Sequence, residues 1–280
     1  MMYKAEISRN NPACFLFLID QSGSMSAPSG GGSSEISMSQ GVADAINRLL
    51  SNLVIKCSKD DGVRNYFEIG VIGYGGDNAS PAFLGKFSGQ ELVKIEDLAN
   101  NPSRIEVRSQ RIPDGAGGIL EQNVKFPIWF EPVSNGGTPM CKAITYAKRI
   151  IERWVSSHMN SYPPIVINIT DGASTDGNPI SIVRDLSGLN TNDGNVLFLN
   201  CHLSSHKGVP ILFPDAVAGL PDEYAVLLFE MSSILPDAMI QAAQQSGFQV
   251  ANQSRGFVFN ADLVDLIRFI DIGTRPANLR

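Results

Sequence analysis

The sequence lacks the features of a membrane or secreted protein. No stretch approaches the ~18 apolar residues that a membrane-spanning helix requires. The apolar run nearest the N-terminus, Cys14 to Ile19, is short and ends at Asp20. A secretory signal needs roughly 7–15 apolar residues followed by a cleavage site between small residues. We therefore expect a cytoplasmic protein that does not bind membranes.

Runs of basic residues are also missing. The chain has 22 Lys and Arg residues against 28 Asp and Glu, which gives a net charge of −6. Proteins that bind nucleic acid concentrate Lys and Arg on one face to neutralise phosphates. The charge pattern therefore argues against nucleic acid as a partner.

Cysteine is scarce and widely spaced. The cysteines at positions 14, 57, 141 and 201 form no Cys-x-x-Cys pair, and such thiols in a reducing compartment are typically free and buried. An alternative is a zinc site of Cys201, His202 and His206. The residues between the two histidines resemble a strand exit rather than a helix that would present both on one face, which disfavours this site.

Short apolar runs alternate with amphipathic helical patterns along most of the chain. This alternation is typical of an α/β protein whose sheet is built from βαβ units. The predicted strands are Cys14–Ile19, Tyr66–Tyr74, Ile165–Ile169, Val196–Leu203 and Phe257–Phe259. The predicted helices are Glu35–Lys56, Pro139–Val155, Ile180–Leu186, Glu223–Ile234, Asp237–Gln245 and a final helix that Asn260 would cap.

Residues 77–137 form the least regular part of the pattern. From Val124 to Phe130 every second residue is apolar, which is typical of a half-buried strand, and Pro127 favours an edge position. Residues 105–107 offer a pairing strand, so we predict a hairpin-like insertion at about 100–133. A short strand is also predicted at Phe83–Phe87 and a short helix at Glu91–Ala99.

The aromatic residues of this insertion have two interpretations. Phe126, Trp129 and Phe130 either pack the hairpin onto the domain, which we favour, or form an anchor for a partner.

Three separated segments place polar residues where strands end or a helix begins. They are Asp20-Gln-Ser22-Gly-Ser24, Gly-Gly-Thr138-Pro and Thr-Asp171-Gly. Each has an ordinary explanation: a turn, a helix N-cap before a proline, and an Asp-Gly turn. In open parallel sheets, however, ligands bind outside the carboxyl ends of the strands, and together the segments offer two carboxylates and three hydroxyls. This set of hard oxygen groups suits Mg2+ or Mn2+ better than zinc.

These segments resemble the metal-ion-dependent adhesion site of von Willebrand A domains. Phe-Leu-Ile-Asp20-Gln-Ser22-Gly-Ser24-Met, Gly-Gly-Thr138-Pro and Ile-Thr-Asp171-Gly fill all five positions of that motif. The resemblance implies a three-layer, Rossmann-like fold: a doubly wound, mostly parallel sheet of about six strands with helices on both faces. It implies one domain at 13–272, with terminal extensions at 1–12 and 273–280, and it leaves the 100–133 insertion without a counterpart.

The resemblance also implies roles for the five residues. Ser22, Ser24 and Thr138 would be direct or switchable ligands, whereas Asp20 and Asp171 would act largely through metal-bound water. A metal held mostly by neutral hydroxyls keeps an open position, which an Asp or Glu of a partner protein can fill.

We therefore predict a non-enzymatic protein-interaction module. The resemblance favours a bacterial intracellular member, similar to tellurium-resistance-associated proteins or to accessory subunits of AAA+ ATPases. A Mg2+-dependent phosphatase of the haloacid-dehalogenase type is the enzymatic alternative. That chemistry needs a second carboxylate two residues after the nucleophilic Asp as general acid, and Ser22 stands at that position.

Overall fold

The structure is a computed structural model that describes residues 3–28, 36–113, 119–204, 209–260, 265, 268–269 and 271–272. Its strands are β1 (Ala13–Asp20), β2 (Ser58–Lys59), β3 (Gly62–Val63), β4 (Phe67–Gly75), β5 (Asn78–Pro81), β6 (Val93–Lys94), β7 (Arg104–Pro113), β8 (Ile119–Ile128), β9 (Ile165–Thr170), β10 (Asn190–Thr191), β11 (Gly194–Asn195), β12 (Leu197–His202), β13 (Ile211–Leu212) and β14 (Phe257–Phe259). Its helices are α1 (Met38–Cys57), α2 (Ile95–Asn100), α3 (Met140–Ser157), α4 (Ile180–Ser187), α5 (Glu223–Met231) and α6 (Asp237–Gln245).

One mixed sheet of eight strands forms the centre of the fold, in the order β13-β14-β12-β9-β1-β4-β5, with β6 also paired to β4. The inner strands β14, β12, β9, β1 and β4 are parallel to one another. The short strands β13, β5 and β6 pair antiparallel. The chain adds strands first on one side of β1 and then on the other, which confirms the predicted doubly wound, mostly parallel α/β sheet.

Helices cover both faces of this sheet because its central strands are apolar on both sides. Every residue of β1 is buried, as expected for a strand inside a parallel sheet. Phe15 and Phe17 pack with α1, α2 and α6 on one face. Leu16 and Leu18 pack with α3, α4 and α5 on the other. The result is the three-layer architecture that the resemblance implies.

The sheet has more strands than the predicted six because its antiparallel additions are too short for a detectable periodicity. The predicted strand at Phe83–Phe87 is wrong. Gly85 takes a positive φ of 63° and begins a 3-10 turn, a conformation that glycine adopts without steric cost. Phe83 and Phe87 nevertheless both enter the core. Asn260, the predicted cap, is followed by residues outside the described ranges. Most of the predicted final helix also lies outside them.

Strands β7 and β8 form a two-stranded antiparallel hairpin of their own, with Ile105 opposite Pro127. Phe126, Trp129 and Phe130 are all buried, and Trp129 and Phe130 belong to the core on the α1 face. For Trp129 and Phe130 this confirms the interpretation in which the aromatic residues pack against the domain, whereas the ring of Phe126 lies under Arg108 of the hairpin itself.

A single buried amide joins this hairpin to α1. Asn47 donates from Nδ2 to the carbonyls of Ala43 and Phe130, at 2.9 and 2.7 Å. Its Oδ1 accepts from the backbone N–H groups of Trp129 and Phe130, at 2.8 and 3.1 Å. All four hydrogen-bonding positions of the amide are used, so the chain leaving β8 is fixed against the helix.

No helix in the described ranges is both long and apolar enough to cross a bilayer. The described cysteines form no disulfide, and three of them, Cys14, Cys57 and Cys201, are buried.

We expect Asn47→Ala to lower the free energy of unfolding by about 1–3 kcal/mol, because it leaves buried backbone groups of Trp129 and Phe130 without partners. Urea denaturation followed by circular dichroism measures the change. Asn52→Ala is the matched control, since Asn52 is exposed on the same helix and its replacement should alter stability by less than about 0.5 kcal/mol. Equal stability of the two variants would show that Asn47 is not the anchor.

Candidate metal centre

The predicted site lies at the carboxyl edge of the sheet, between β1 and β9. Helix α1, which follows β1, packs on one face, whereas α4, which follows β9, packs on the other. The loops after these two strands therefore diverge and leave a crevice, which is where ligands bind in doubly wound folds. Asp20 ends β1, and Asp171 directly follows β9.

Asp20 is fully buried at the bottom of this crevice. Its Oδ1 accepts the backbone N–H of Ser22 at 2.8 Å, and its Oδ2 accepts the hydroxyl of Thr170 at 2.5 Å. Burial raises the pKa of Asp20 to about 6, although the hydrogen bonds from Thr170 and Ser22 act in the opposite direction. Both donors are neutral, so they do not compensate the buried negative charge as a cation would.

Two serines connect Asp20 to Asp171. The hydroxyls of Ser22 and Ser24 are 3.0 Å apart, and Ser24 donates its hydroxyl to Oδ1 of Asp171 at 2.9 Å. Burial raises the pKa of Asp171, with the hydrogen bond from Ser24 opposing the shift. Ser22 is buried, whereas Ser24 is exposed and Asp171 half-buried. The cluster therefore opens to solvent at Ser24 and Asp171.

Thr138 reaches the same corner through backbone contacts of its loop. Gly136 accepts the N–H of Gly23 at 2.9 Å, which holds the loop against the turn after β1. Thr175 accepts the N–H of Thr138 through its hydroxyl at 3.0 Å and donates its own N–H to the Thr138 carbonyl at 2.9 Å. Thr138 thus lies between the other two segments.

Close packing of this loop requires glycine at position 136. Gly136 has a φ of 70°, and a Cβ there would stand 2.5 Å from the Cα of Gly76. Only a residue without a side chain permits this approach. The first glycine of the motif's Gly-Gly pair is therefore required for steric reasons.

Thr138 does not act as the N-cap that its position before Pro139 suggested. Helix α3 begins at Met140, its N-cap is Pro139, and no side chain of the cap residue bonds the helix. The carboxylate of Asp176 instead accepts the N–H groups of Cys141 and Lys142, both at 2.9 Å. These bonds lower the pKa of Asp176 although partial burial opposes them.

The three segments that carry the five predicted residues thus meet at one corner, and the residue types fit a hard divalent cation. They supply two carboxylates and three hydroxyls, and one carboxylate is buried beside neutral donors only. Within the described ranges, no group of three or more His, Cys, Asp or Glu side chains is placed to hold a metal ion, so any site here needs the hydroxyls as well. In the zinc alternative, His206 lies outside the described residues, and Cys201 and His202, as strand neighbours, point to opposite faces of the sheet.

Sequence reasoning missed three residues around this corner. Thr170 was part of a motif, but nothing marked its hydroxyl as the partner of Asp20. Asp176 bonds a helix 35 residues away from it along the chain, so no local signal exists. His202 ends β12 beside Thr170. Burial lowers the pKa of its imidazole, and Asp222 and the backbone of Asp171 oppose that shift.

No family model matches the chain, and no curated protein matches it. Among the solved structures that match are two with von Willebrand-type domains in their names. The ArnB paralog VWA2 from Sulfolobus acidocaldarius is 15% identical, with 71% of this chain and 36% of that one covered at a TM-score of 0.36. The vWF domain of the type V pili tip protein Mfa5 from Porphyromonas gingivalis is 16% identical, with 59% and 39% covered at a TM-score of 0.32. The chain thus spans well under half of either protein.

Asp176 provides a pH-dependent test of how this corner is held. Its folded pKa lies below the unfolded value, which is about 3.9, so its charged form stabilises the fold. That contribution is fully present above the unfolded pKa and is lost as the pH falls through the folded pKa. We expect Asp176→Ala to lower stability at pH 7 by about 0.5–2 kcal/mol, the usual effect of losing a helix cap, with the difference shrinking below about pH 4.

Urea denaturation of both proteins between pH 2.5 and 7 checks this expectation. Asp185→Ala, which removes an exposed carboxylate of α4 that pairs with Lys148, is the control for the loss of a surface charge. A difference between wild type and Asp176→Ala that stays constant down to the lowest pH would contradict the capping role of the charged group.

Proposed function

We propose that the protein is a non-enzymatic interaction module of the von Willebrand A type. It binds one divalent cation, Mg2+ or Mn2+, through Asp20, Ser22, Ser24, Thr138 and Asp171. Through that ion it binds an acidic group of a protein partner. The observation that carries the proposal is the hydrogen-bonded cluster from Asp20 through Ser22 and Ser24 to Asp171, at the crevice between β1 and β9.

Each residue has a distinct part in this proposal. Asp20 supplies buried negative charge at the base of the site, and Thr170 and the N–H of Ser22 orient its carboxylate. Ser22 and Ser24, on the loop after β1, and Thr138, on the loop before α3, would supply neutral oxygens. Asp171 supplies a second carboxylate at the solvent-facing side. Because three of the five groups are neutral, a bound ion would retain enough Lewis acidity to accept a carboxylate from outside.

The phosphatase alternative receives less support from the same geometry. A nucleophilic carboxylate must approach the phosphorus of its substrate, yet Asp20 has 0% exposed surface and its two oxygens bond Ser22 and Thr170. The residue two positions later is a buried serine, which cannot serve as a general acid at an ordinary pH. The geometry therefore favours binding over catalysis.

We place this activity in the bacterial cytoplasm, in a stress-response or scaffold system or beside an AAA+ ATPase. The motif resemblance and the free, mostly buried thiols support this setting. The acidic charge of the chain agrees with a partner other than nucleic acid.

Thermal unfolding with and without metal tests the site itself. A ligand that binds only the folded state at about 100 times its dissociation constant adds roughly 2.7 kcal/mol, which raises the Tm of a chain this size by roughly 5–10 °C. We expect that increase with Mg2+ or Mn2+ and none with EDTA. Asp171→Asn should fold normally, because its amide oxygen can still accept from Ser24, but its Tm should no longer respond to metal.

The matched control is Asp185→Asn, which removes one exposed carboxylate from α4 and should leave the metal response at the wild-type value. A wild-type Tm that is the same in Mg2+, Mn2+ and EDTA would refute the metal site.

Capture of the partner tests the bridging role. We expect a protein from the native host's lysate to be retained by the immobilised wild-type chain in Mg2+ and released by EDTA. Asp171→Asn should retain none of it, and Asp185→Asn should retain as much as wild type. Equal retention in all four conditions would mean that the partner binds elsewhere on the surface.

A further inference from the structure

A cavity of about 300 Å³ adjoins the proposed metal centre and shares two of its residues, Ser24 and Asp171. This volume is at the lower end of the range for small-molecule sites, which is roughly 300–1,000 Å³. The cavity lies at the carboxyl ends of β12 and β14, on the side of β9 away from β1. It is therefore a second compartment beside the metal centre, with a common wall.

The cavity has apolar walls and an acidic rim. Met38 and Leu203 are buried in its wall, and Phe259 is half-buried there. Tyr224, which is 42% exposed, and the exposed Asp222 stand at the mouth. Asp222 uses Oδ1 to accept the N–H of Ala225 at 2.8 Å as the N-cap of α5, which fixes the carboxylate in place.

A buried imidazole in the wall adds an unused hydrogen-bonding atom. His202 is 5% exposed and its ring stands edge-on to Phe259, with the centroids 5.0 Å apart. Its Nδ1 has no hydrogen-bond partner among the described residues. The ring's other nitrogen is the one available to donate to the backbone carbonyl of Asp171, and in that tautomer Nδ1 is an acceptor. Buried polar atoms are seldom left unpaired. A ligand in this cavity could therefore donate a hydrogen bond to Nδ1 of His202.

We propose that this cavity receives a Lys or Arg side chain of the partner, close in sequence to the acidic residue that reaches the metal. Both side chains combine a long apolar stem with a charged head that carries only donors. The stem fits between Met38, Leu203 and Phe259, and the head meets Asp222 at the rim. Asp222 would repel the carboxylate of an aspartate or glutamate, and a purely apolar residue would form no ion pair with it. The partner's recognition segment is thus a paired acidic and basic motif.

This inference rests on the proposed function, and one selection experiment separates the two. A random heptapeptide display library is selected on the purified protein in Mg2+, in EDTA, and on Asp222→Asn and Asp171→Asn in Mg2+. Asparagine is nearly as good an N-cap as aspartate, so Asp222→Asn keeps α5 and removes only the charge. Asp185→Asn is the control for net charge.

We expect wild type in Mg2+ to enrich peptides with Asp or Glu and with Lys or Arg within about three positions of it, and to enrich neither in EDTA. Asp222→Asn should still enrich the acidic residue but not the basic one, and should bind the wild-type peptides roughly two- to five-fold more weakly, the effect of losing one solvent-accessible ion pair. Asp171→Asn should enrich nothing in a Mg2+-dependent manner.

Enrichment of an acidic residue with an apolar one, or with a basic residue that persists on Asp222→Asn, would overturn the basic pocket and leave the metal-bridging function standing. Absence of any Mg2+-dependent enrichment of acidic residues on wild type would overturn both. An unchanged Mg2+-induced Tm increase in Asp222→Asn verifies that the variant's metal centre is intact in either case.

Discussion

The parallel pairing of β1 with β9 is the constraint on which the rest of the site depends. Leu18 lies opposite Asn168 and Ile19 opposite Ile169, so both strands end at the same edge of the sheet. This register brings the hydroxyl of Thr170 to the carboxylate of Asp20 across 150 positions of sequence. A register shift of one residue would exchange the two faces of either strand. It would also break the buried hydrogen bonds that Asn168 of β9 makes with Tyr74 of β4 and Asn200 of β12.

The electrostatics of the crevice follow from this pairing. A carboxylate placed at the end of a fully buried strand loses its hydration, and two neutral donors recover only part of that loss. Ser24 and Asp171 extend the same hydrogen-bonded chain outward to solvent. The hydrogen-bond donors at this corner therefore do not fully compensate its negative charge. A cation that bound there would stabilise the folded state.

The sequence predicts the strands and motifs of this corner but not the contacts that fix them. Cys14–Ile19 and Ile165–Ile169 are predictable because unbroken apolar runs of this length fit strands covered on both faces. The edge strands β6 and β13 are two residues long and leave no periodic signal. Long-range polar partners such as Asp176 and Asn47 have no local signature either, because their donors and acceptors meet only after the chain has folded.

The β7–β8 hairpin and the cavity beside β12 and β14 differ in how their charged side chains are paired. The hairpin contacts the domain through an ion pair of Arg108 with Asp44 of α1 at 2.8 Å. Within β7, Glu106 pairs with both Arg108 and Arg104. These charges are satisfied within the chain. Beside the proposed metal centre, in contrast, Asp222 stands at the mouth of a cavity, and one of its carboxylate oxygens accepts from the backbone of α5. Charge that is paired internally stabilises a surface, whereas charge at the rim of a cavity can discriminate between ligands. If the proposed partner exists, the β12–β14 side of the crevice is therefore where its sequence would be distinguished.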